Sequence, residues 1–248
     1  MTSGRISEHT ADVVVRRLRA FRAVSAEAAA KLDDLVRGRV LVAPAGRDLA
    51  CEGEPANSIR MMLSGWAARY KTLVDGRRQI INLVLPGDTC DAQIYLVKRL
   101  DHSIVALTSV SYAELDRERF ERLIAIDGGL SEAFRCETLS NAAIQREWTL
   151  NLGRRDAFER VAHLLCEVVA RLRVVGLSDG RSCAFPITQM DMADATGLSV
   201  VHVNRTLQEL RSARLIVLRD RTLTVRDPEA LMDAALFNPD YLHYVSPG

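Results

Sequence analysis

Residues 187–227, ITQMDMADATGLSVVHVNRTLQELRSARLIVLRDRTLTVRD, leave the chain little conformational choice. Thr188 followed by Asp191 has the spacing of a capping box, which starts a helix at about Gln189 and carries it to about Ala195. Gly197 supplies a tight turn. Ser199 can cap a second helix, whose inner face is Val200, Val203, Leu207 and Leu210. Two helices joined through a short glycine-containing turn make a helix-turn-helix. RLIVL and TLTV, on either side of Arg219-Asp220-Arg221, then read as a two-stranded wing.

The outward face of the second helix is chemically specific. Val201, His202, Asn204, Arg205 and Gln208 point away from the core near its N-terminal end, where a docked helix-turn-helix meets base edges in the major groove. Arg205 can fork onto guanine O6 and N7, Asn204 can pair with adenine, and Val201 can pack on a thymine methyl. Ser199, Thr188 and the amides at the helix N-termini can hold phosphates, and Gln189 joins this DNA-binding set at the start of the first helix. Residues 181–226 hold seven arginines against four acidic residues, a local excess that the whole-chain charge of +1 conceals. A basic patch inside a neutral chain suits a module that reads double-stranded DNA.

Upstream, the periodicity changes twice. Val14, Leu18, Phe21, Val24, Ala28, Leu32 and Leu35 recur at helical spacing, predicting one or two short helices between Asp12 and Val36. After Gly38 come short runs rich in Val, Ile, Leu and aromatics: RVLVAPAG, SIRMMLSG, WAARYKTLV, RRQIINLVL and SIVALTSVSYAEL. Turn dipeptides cut them, and Asp75-Gly76 predicts a two-residue type I′ hairpin, so this part is a small antiparallel roll or sandwich. From Arg117 to about Val175 the pattern is helical again, interrupted at Gly153. Between Leu130 and Leu152 the residues Cys136, Leu139, Ala143 and Leu150 make a stripe broken by Arg146, with Phe134, Ile144 and Trp148 on neighbouring faces. A helix apolar on more than one face needs two partners, and the same helix of a second subunit can be one of them. A second helix is expected from about Arg155 to Val174. The fold class is α+β, divided into 1–128, 129–153 and 154–248.

The five cysteines include no C-x-x-C pair, which gives no zinc or iron-sulfur spacing. The N-terminal segment has no apolar core of signal-peptide length, and no apolar run reaches the roughly 18 residues of a membrane span. These features point to a cytoplasmic protein with no membrane partner. No G-x-S-x-G elbow, P-loop or H-E-x-x-H is present, and the expectation is that the chain is not an enzyme. His9, His102, His163, His202 and His243 raise a haem- or metal-based sensor as an alternative, and a ligand-binding protein that keeps the helix-turn-helix only as packing is another. No cofactor is expected.

From about Leu41 to Val225 the chain resembles the CRP/FNR (cAMP receptor protein and fumarate-nitrate reductase regulator) family. LSGWAARYKTLVDGRRQIINLVLPGD, SYAELDRERF, the long helix and ITQMDMADATGLSVVHVNRTLQELRSARLI follow in the family's order. The resemblance implies an N-terminal roll of cyclic-nucleotide-binding shape, a dimerisation helix over about residues 130–152, and a C-terminal winged helix-turn-helix. It implies a homodimeric transcription regulator acting on DNA, with RNA polymerase an expected partner. By the family's motif Arg205 is the guanine-reading arginine, while Ser199 and Thr188 contact phosphates. The departures are equally informative. Where cAMP-binding members carry Gly-Glu-Leu and then Arg-Ser, this chain has Asp91-Ala92-Gln93 and Leu100-Asp101. Burying a cyclic phosphate without a cation or a full set of donors is costly, which argues against cAMP. Cys90, Asp91, Gln93, Leu100 and His102 occupy the corresponding effector pocket, whose effector is unknown. Only Cys51 lies within the first 89 residues, so the family's N-terminal iron-sulfur ligands are missing. Val200 and Val201 replace a charged pair on the recognition helix, so the operator differs from the archetype's.

Overall fold

Strands and helices change over where the sequence periodicity does. The computed structural model describes residues 12–90, 96–125 and 127–245, beginning with helices α1 (Asp12–Arg19) and α2 (Ala26–Gly38). The strands β1 (Val40–Ala43), β2 (Asp48–Ala50), β3 (Ser58–Ser64), β4 (Ala67–Thr72), β5 (Arg78–Val84), β6 (Thr89–Cys90), β7 (Ser103–Ala106) and β8 (Val110–Asp116) follow. They pair antiparallel into two four-stranded sheets, ordered β1-β8-β3-β6 and β2-β7-β4-β5. Ala67, Ile104 and Ala106 turn into the core between the sheets with Met62, Val84 and Val110, while their neighbours Ala68 and Val105 belong to a second core outside it. The short β2 and β6 were not foreseen from the sequence.

Two local expectations change. SIVALTSVSYAEL is two strands in different sheets, because Leu107 and Thr108 both donate to the Trp66 carbonyl and turn the chain at the corner. That close approach requires Gly65, whose φ is +74° and where a Cβ would come within 2.2 Å of the Ser109 carbonyl oxygen. The hairpin at Asp75-Gly76 has a longer loop than a two-residue type I′ turn. Leu73 and Arg77 are its last bonded pair, at 2.9 Å, leaving Val74, Asp75 and Gly76 in the loop with only Gly76 (φ +86°) left-handed.

Helices α3 (Arg117–Ile124), α4 (Gly128–Gly153) and α5 (Ala157–Val174) come next. Asp156 caps α5 in a reciprocal box with Glu159, so the helix starts just after the expected Arg155. Helices α1, α2, α3 and the start of α4 cover the outer side of the first sheet around Ile59, Met61 and Leu115. Against the second sheet lies α5, with eleven of its residues buried, among them His163, Glu167 and Arg171. A helix buried on nearly every side sits between layers. One continuous apolar cluster accordingly runs from Trp66, Ile80 and Leu83 through Val161, Leu165 and Leu172 to Val203, Leu207 and Leu223 in the C-terminal module.

That module contains β9 (Ser182–Ala184), α6 (Gln189–Thr196), α7 (Val200–Ser212), β10 (Ile216–Arg219), β11 (Thr222–Val225) and α8 (Pro228–Ala234). Beyond α8, a 3-10 turn at Pro239–Leu242 returns to α4, where Ser140 Oγ donates to the Leu242 carbonyl at 2.9 Å. Tyr244 reaches α1, its ring 5.4 Å from Phe21 and beneath the Arg17 guanidinium.

The inner side of α4 carries buried polar groups rather than a plain apolar stripe. Glu137 accepts from the Thr89 amide at 2.8 Å, and burial pushes its pKa up to about 7. Asn151 Nδ2 lies 3.1 Å from His163 Nδ1, and the His163 ring stacks on Tyr241. Burial, with the Arg155 charge second, lowers the His163 pKa to about 3. Glu147 is 3.5 Å from the same ring but is itself paired with Arg155 at 3.1 Å, so it does not reverse that shift. The imidazole is therefore neutral in the folded chain, whereas the unfolded chain takes up its proton below about pH 6.5. Folding stability then falls as pH drops from about 6.5 toward 3, by up to about 1.4 kcal/mol per pH unit from this residue. Denaturation of wild type and His163→Gln between pH 7 and 5 should show the steeper loss in wild type; parallel slopes would mean that His163 is already charged when folded.

Candidate nucleic-acid interface

The reading surface is built from local capping chemistry on a buried floor. Thr188 accepts from the Asp191 amide at 3.1 Å while Asp191 accepts from the Thr188 amide and hydroxyl, at 3.0 and 2.7 Å, a reciprocal box that starts α6. Gly197 closes α6 in the left-handed region at φ 65° and ψ 28°. Ser199 Oγ then accepts from the His202 amide at 3.2 Å and starts α7. Val203, Leu207 and Leu210 anchor α7 as expected, Val200 is only half-buried, and Thr206 joins the buried side. Opposite them, Val201 is 80% exposed, and His202, Asn204, Arg205 and Gln208 are exposed with it.

The structure thus gathers the proposed base-reading residues on one open face. Arg205 Nε donates to Glu209 Oε1 at 3.0 Å, a solvated i,i+4 pair that holds the guanidinium along the helix without sequestering it. Asn204 Nδ2 donates to Gln189 Oε1 at 3.2 Å, so the two amides work as a pair. The Ser199 hydroxyl serves its cap only as an acceptor. The Thr188 hydroxyl donates its proton to Asp191. The short strand expected in GLSDGRSCAFP is β9, which pairs with the two wing strands in the order β10-β11-β9, and the wing's tip turns through Asp220 and Arg221 at φ 51° and 56°.

What holds the module has no local signal in the chain. Arg78 on β5 donates to Asp194 at 2.7 Å and to Asp191 at 3.0 Å, and Gln79 Nε2 donates to the Asp194 carbonyl at 2.6 Å. The roll therefore grips α6 and neutralises two of the module's carboxylates. Arg160 on α5 donates to the Thr196 carbonyl at 2.7 Å and to the Arg155 carbonyl at 2.9 Å, bridging the break after α4 to the turn before α7.

The other expected sites fare differently. Cys90 and Leu100 are brought together in the apolar core between the sheets, His102 is buried with Nδ1 2.8 Å from Asp101 Oδ1, and Asp91 and Gln93 lie outside the described residues. Arg69, missed in the sequence, is 6% exposed and donates across the roll to the Thr89 carbonyl, so the interior does contain a cation. On α4, Leu139 is 64% and Leu150 43% exposed and Cys136 is half-buried, but Ala143 is 4% exposed and packs inward. The seam open to a second helix runs Arg135, Leu139, Ala142, Arg146 and Thr149. Over a helix this long, spacings of three and four drift across faces, and Ala143 falls with the inward Ser140 and Ile144. Among the described residues, no three or more His, Cys, Asp or Glu side chains gather as a metal site, and no helix is long and apolar enough to cross a membrane.

A β-roll, a long helix and a winged helix-turn-helix with an open basic face define a DNA-binding regulator. The model of the Crp-like helix-turn-helix domain matches residues 159–234, and that of the cyclic nucleotide-binding domain matches residues 40–127. The chain is 30% identical over 193 residues to the nitrogen fixation regulation protein FixK of Rhizobium meliloti, spanning 75% of this chain and 82% of that one. It is 32% identical over 182 residues to the transcriptional activatory protein AadR of Rhodopseudomonas palustris, spanning 73% and 74%. The solved structure of FixK2 from Bradyrhizobium japonicum superposes with a TM-score of 0.70 at 26% identity, covering 79% of this chain and 96% of that one. The chain belongs to the CRP/FNR family of transcription regulators, whose members bind DNA and act as dimers.

If the β5 grip orients the reader, Arg78→Ala will speed amide hydrogen exchange in α6 while leaving β8 unchanged. Equal protection of α6 in both proteins would reduce Arg78 to a surface ion pair.

Proposed function

We propose that this chain is a homodimeric transcription regulator that reads an inverted repeat, with Arg205 as its principal base-reading side chain. The observation that carries the reading is the open face of α7, where Val201, Asn204 and Gln208 surround Arg205, an arginine long enough to fork onto guanine. His202 borders that face. Ser199, Thr188 and Gln189 mark the two helix N-termini that take phosphates. The exposed seam of α4, centred on Leu139 and flanked by Cys136 and Leu150, supplies the second-copy contact, and the two readers then sit at half-sites about one helical turn, roughly 34 Å, apart. The units are the roll with its helices over 1–128, the dimer helix over 129–153, and the reader over 154–248. RNA polymerase is the partner through which a bound dimer would act on transcription.

The roll serves as the sensor, and its state reaches the reader through the break after Gly153 and through the Arg78 and Gln79 grip on α6. Its effector is not cAMP, or abundance alone sets the output. Leu100, in the apolar core, stands where a phosphate would need a cation, and Arg69 is already engaged with Thr89. Millimolar cAMP should leave the melting temperature unchanged, since a ligand that binds only the folded state raises it by mass action. A rise with cAMP would return the chain to the cyclic-nucleotide-responsive members.

Arg205→Ala tests the reader itself. It should lose about 1–3 kcal/mol on the specific operator and relax the preference at one base pair per half-site. An equal loss on random duplex would make Arg205 a phosphate contact and end its role as the base reader.

A further inference from the structure

Five buried ionisable side chains meet where α1, the turn into β6, α4 and α5 come together. Arg17 and Arg171 both pair with Asp88, and Arg171 also pairs with Glu167 at 3.1 Å. Two cations thus face two carboxylates, and the fifth group, Glu137 of α4, is left without a counter-charge of its own. Its Oε1 accepts from the Thr89 amide, whereas Oε2 has no hydrogen-bond partner among the described residues. Arg17, the cation that acts on it most strongly, is already paired with Asp88. A buried carboxylate in that position is far costlier than the neutral acid. Burial, countered by Arg17 and reinforced by Asp88, accordingly pushes the Glu137 pKa up to about 7.

The same charges hold the tail that follows α8. Tyr241 donates to Glu167 at 2.8 Å, and the Arg17 guanidinium lies over the Tyr244 ring, 4.9 Å from its centre. Between them the Leu242 carbonyl accepts from Ser140, three residues along α4 from Glu137. The Val245 amide then donates to the Ala20 carbonyl, just beyond α1, at 2.8 Å. The tail therefore ties the reader to α4 and α1 through contacts that share their charges with the cluster.

We propose that Glu137 is a proton-operated latch for this tail, closed when its carboxyl is neutral and released when it ionises. With the proton on, Arg17 and Arg171 balance Asp88 and Glu167, and the tail stays pinned across α4 and α1. Loss of the proton to solvent adds one uncompensated negative charge, which draws in water and pulls Arg17 from beneath Tyr244. The reader then loses one of its ties to the sensor layers. The groups facing Glu137 are Arg17 from α1, Asp88 and Thr89 from the turn into β6, and Glu167 and Arg171 of α5 behind them; Arg69 of β4 is directed to the Thr89 carbonyl. In the open form the carboxyl regains its ordinary pKa of about 4.3, so opening becomes about tenfold easier per pH unit from there to about 7 and levels off above. His163, stacked on Tyr241, works in the opposite sense, because exposing it below about pH 6.5 lets it take up a proton. The latch goes beyond the DNA-reading function and is tested without DNA.

The test is amide hydrogen exchange of the full-length protein between pH 5 and pH 8, read as protection factors so that the intrinsic pH dependence of exchange drops out. Glu137→Gln stands for the neutral acid at every pH. The ratio of tail protection in wild type to that in Glu137→Gln should fall about tenfold per pH unit from pH 5 to about 7 and then level off. His163 is common to both proteins and cancels in the ratio. The β8 amides should show no such change. A tail ratio that stays constant from pH 5 to pH 8 overturns the proposal. So does an equal fall at β8, which would make Glu137 a determinant of global stability rather than a latch. If Glu137→Gln does not fold, wild type decides alone by infrared difference spectroscopy: the band of a protonated carboxyl should be present at pH 6 and lost by pH 8, and opening of the tail should stop rising with pH where the band is lost. Absence of that band at pH 6 overturns the proposal.

Discussion

Asp88 is the charge around which the layers of this protein are fixed. Its carboxylate meets Arg171 of α5 at 2.5 Å and Arg17 of α1 at 3.2 Å, all three side chains being almost wholly buried. Burial alone would raise its pKa, but the two guanidiniums outweigh that and hold it below the usual carboxylate value. Burying each guanidinium costs several kcal/mol of lost hydration, which the Asp88 carboxylate offsets. The first helix, the turn into β6 and the middle of α5 must therefore arrive together. Arg171 extends the constraint to the Leu83 carbonyl and to Glu167, and Glu167 in turn accepts from Trp148 of α4 and Tyr241 of the C-terminal tail.

The reader inherits its position from that arrangement. Helix α5 is the floor on which Val203, Leu207 and Leu210 of α7 pack, and the same floor carries Trp66 and Ile80 of the roll on its other side. A change inside the roll thus has two short routes to the recognition helix, one through α5 and one through the Arg78 grip. At the lower end of α4, Leu152 closes on the turn at Gly197, where an added Cβ would lie 3.0 Å from its methyl group. The end of α4 and the turn of the helix-turn-helix are in contact, so a shift of that end of α4 meets the reader directly.

Much of this was legible in the sequence, and the reason is locality. Thr188 with Asp191, Gly197, and Ser199 signal caps and a turn within a few residues, and α6 and α7 form where those signals lie. The turn dipeptides marked the roll, although β2 and β6 are too short to show a period. Long-range contacts left no such mark. Nothing in the neighbourhoods of Arg17, Asp88, Glu137 and Arg171 reveals a partner dozens of residues away. Arg78 has no local signal either, since its partners Asp191 and Asp194 lie more than a hundred residues away. Spacing of three and four puts Ala143 on the outer stripe of α4, whereas the packed neighbours place it inside, at 4% exposure.

The central claim, that two copies of this reader face successive major grooves, is tested most directly by selecting bound duplexes from a random pool and footprinting the winners. The account predicts an inverted repeat with half-site centres about 10 base pairs, one helical turn, apart, protected symmetrically. Enrichment of a single asymmetric site, or no enrichment over the starting pool, would contradict it.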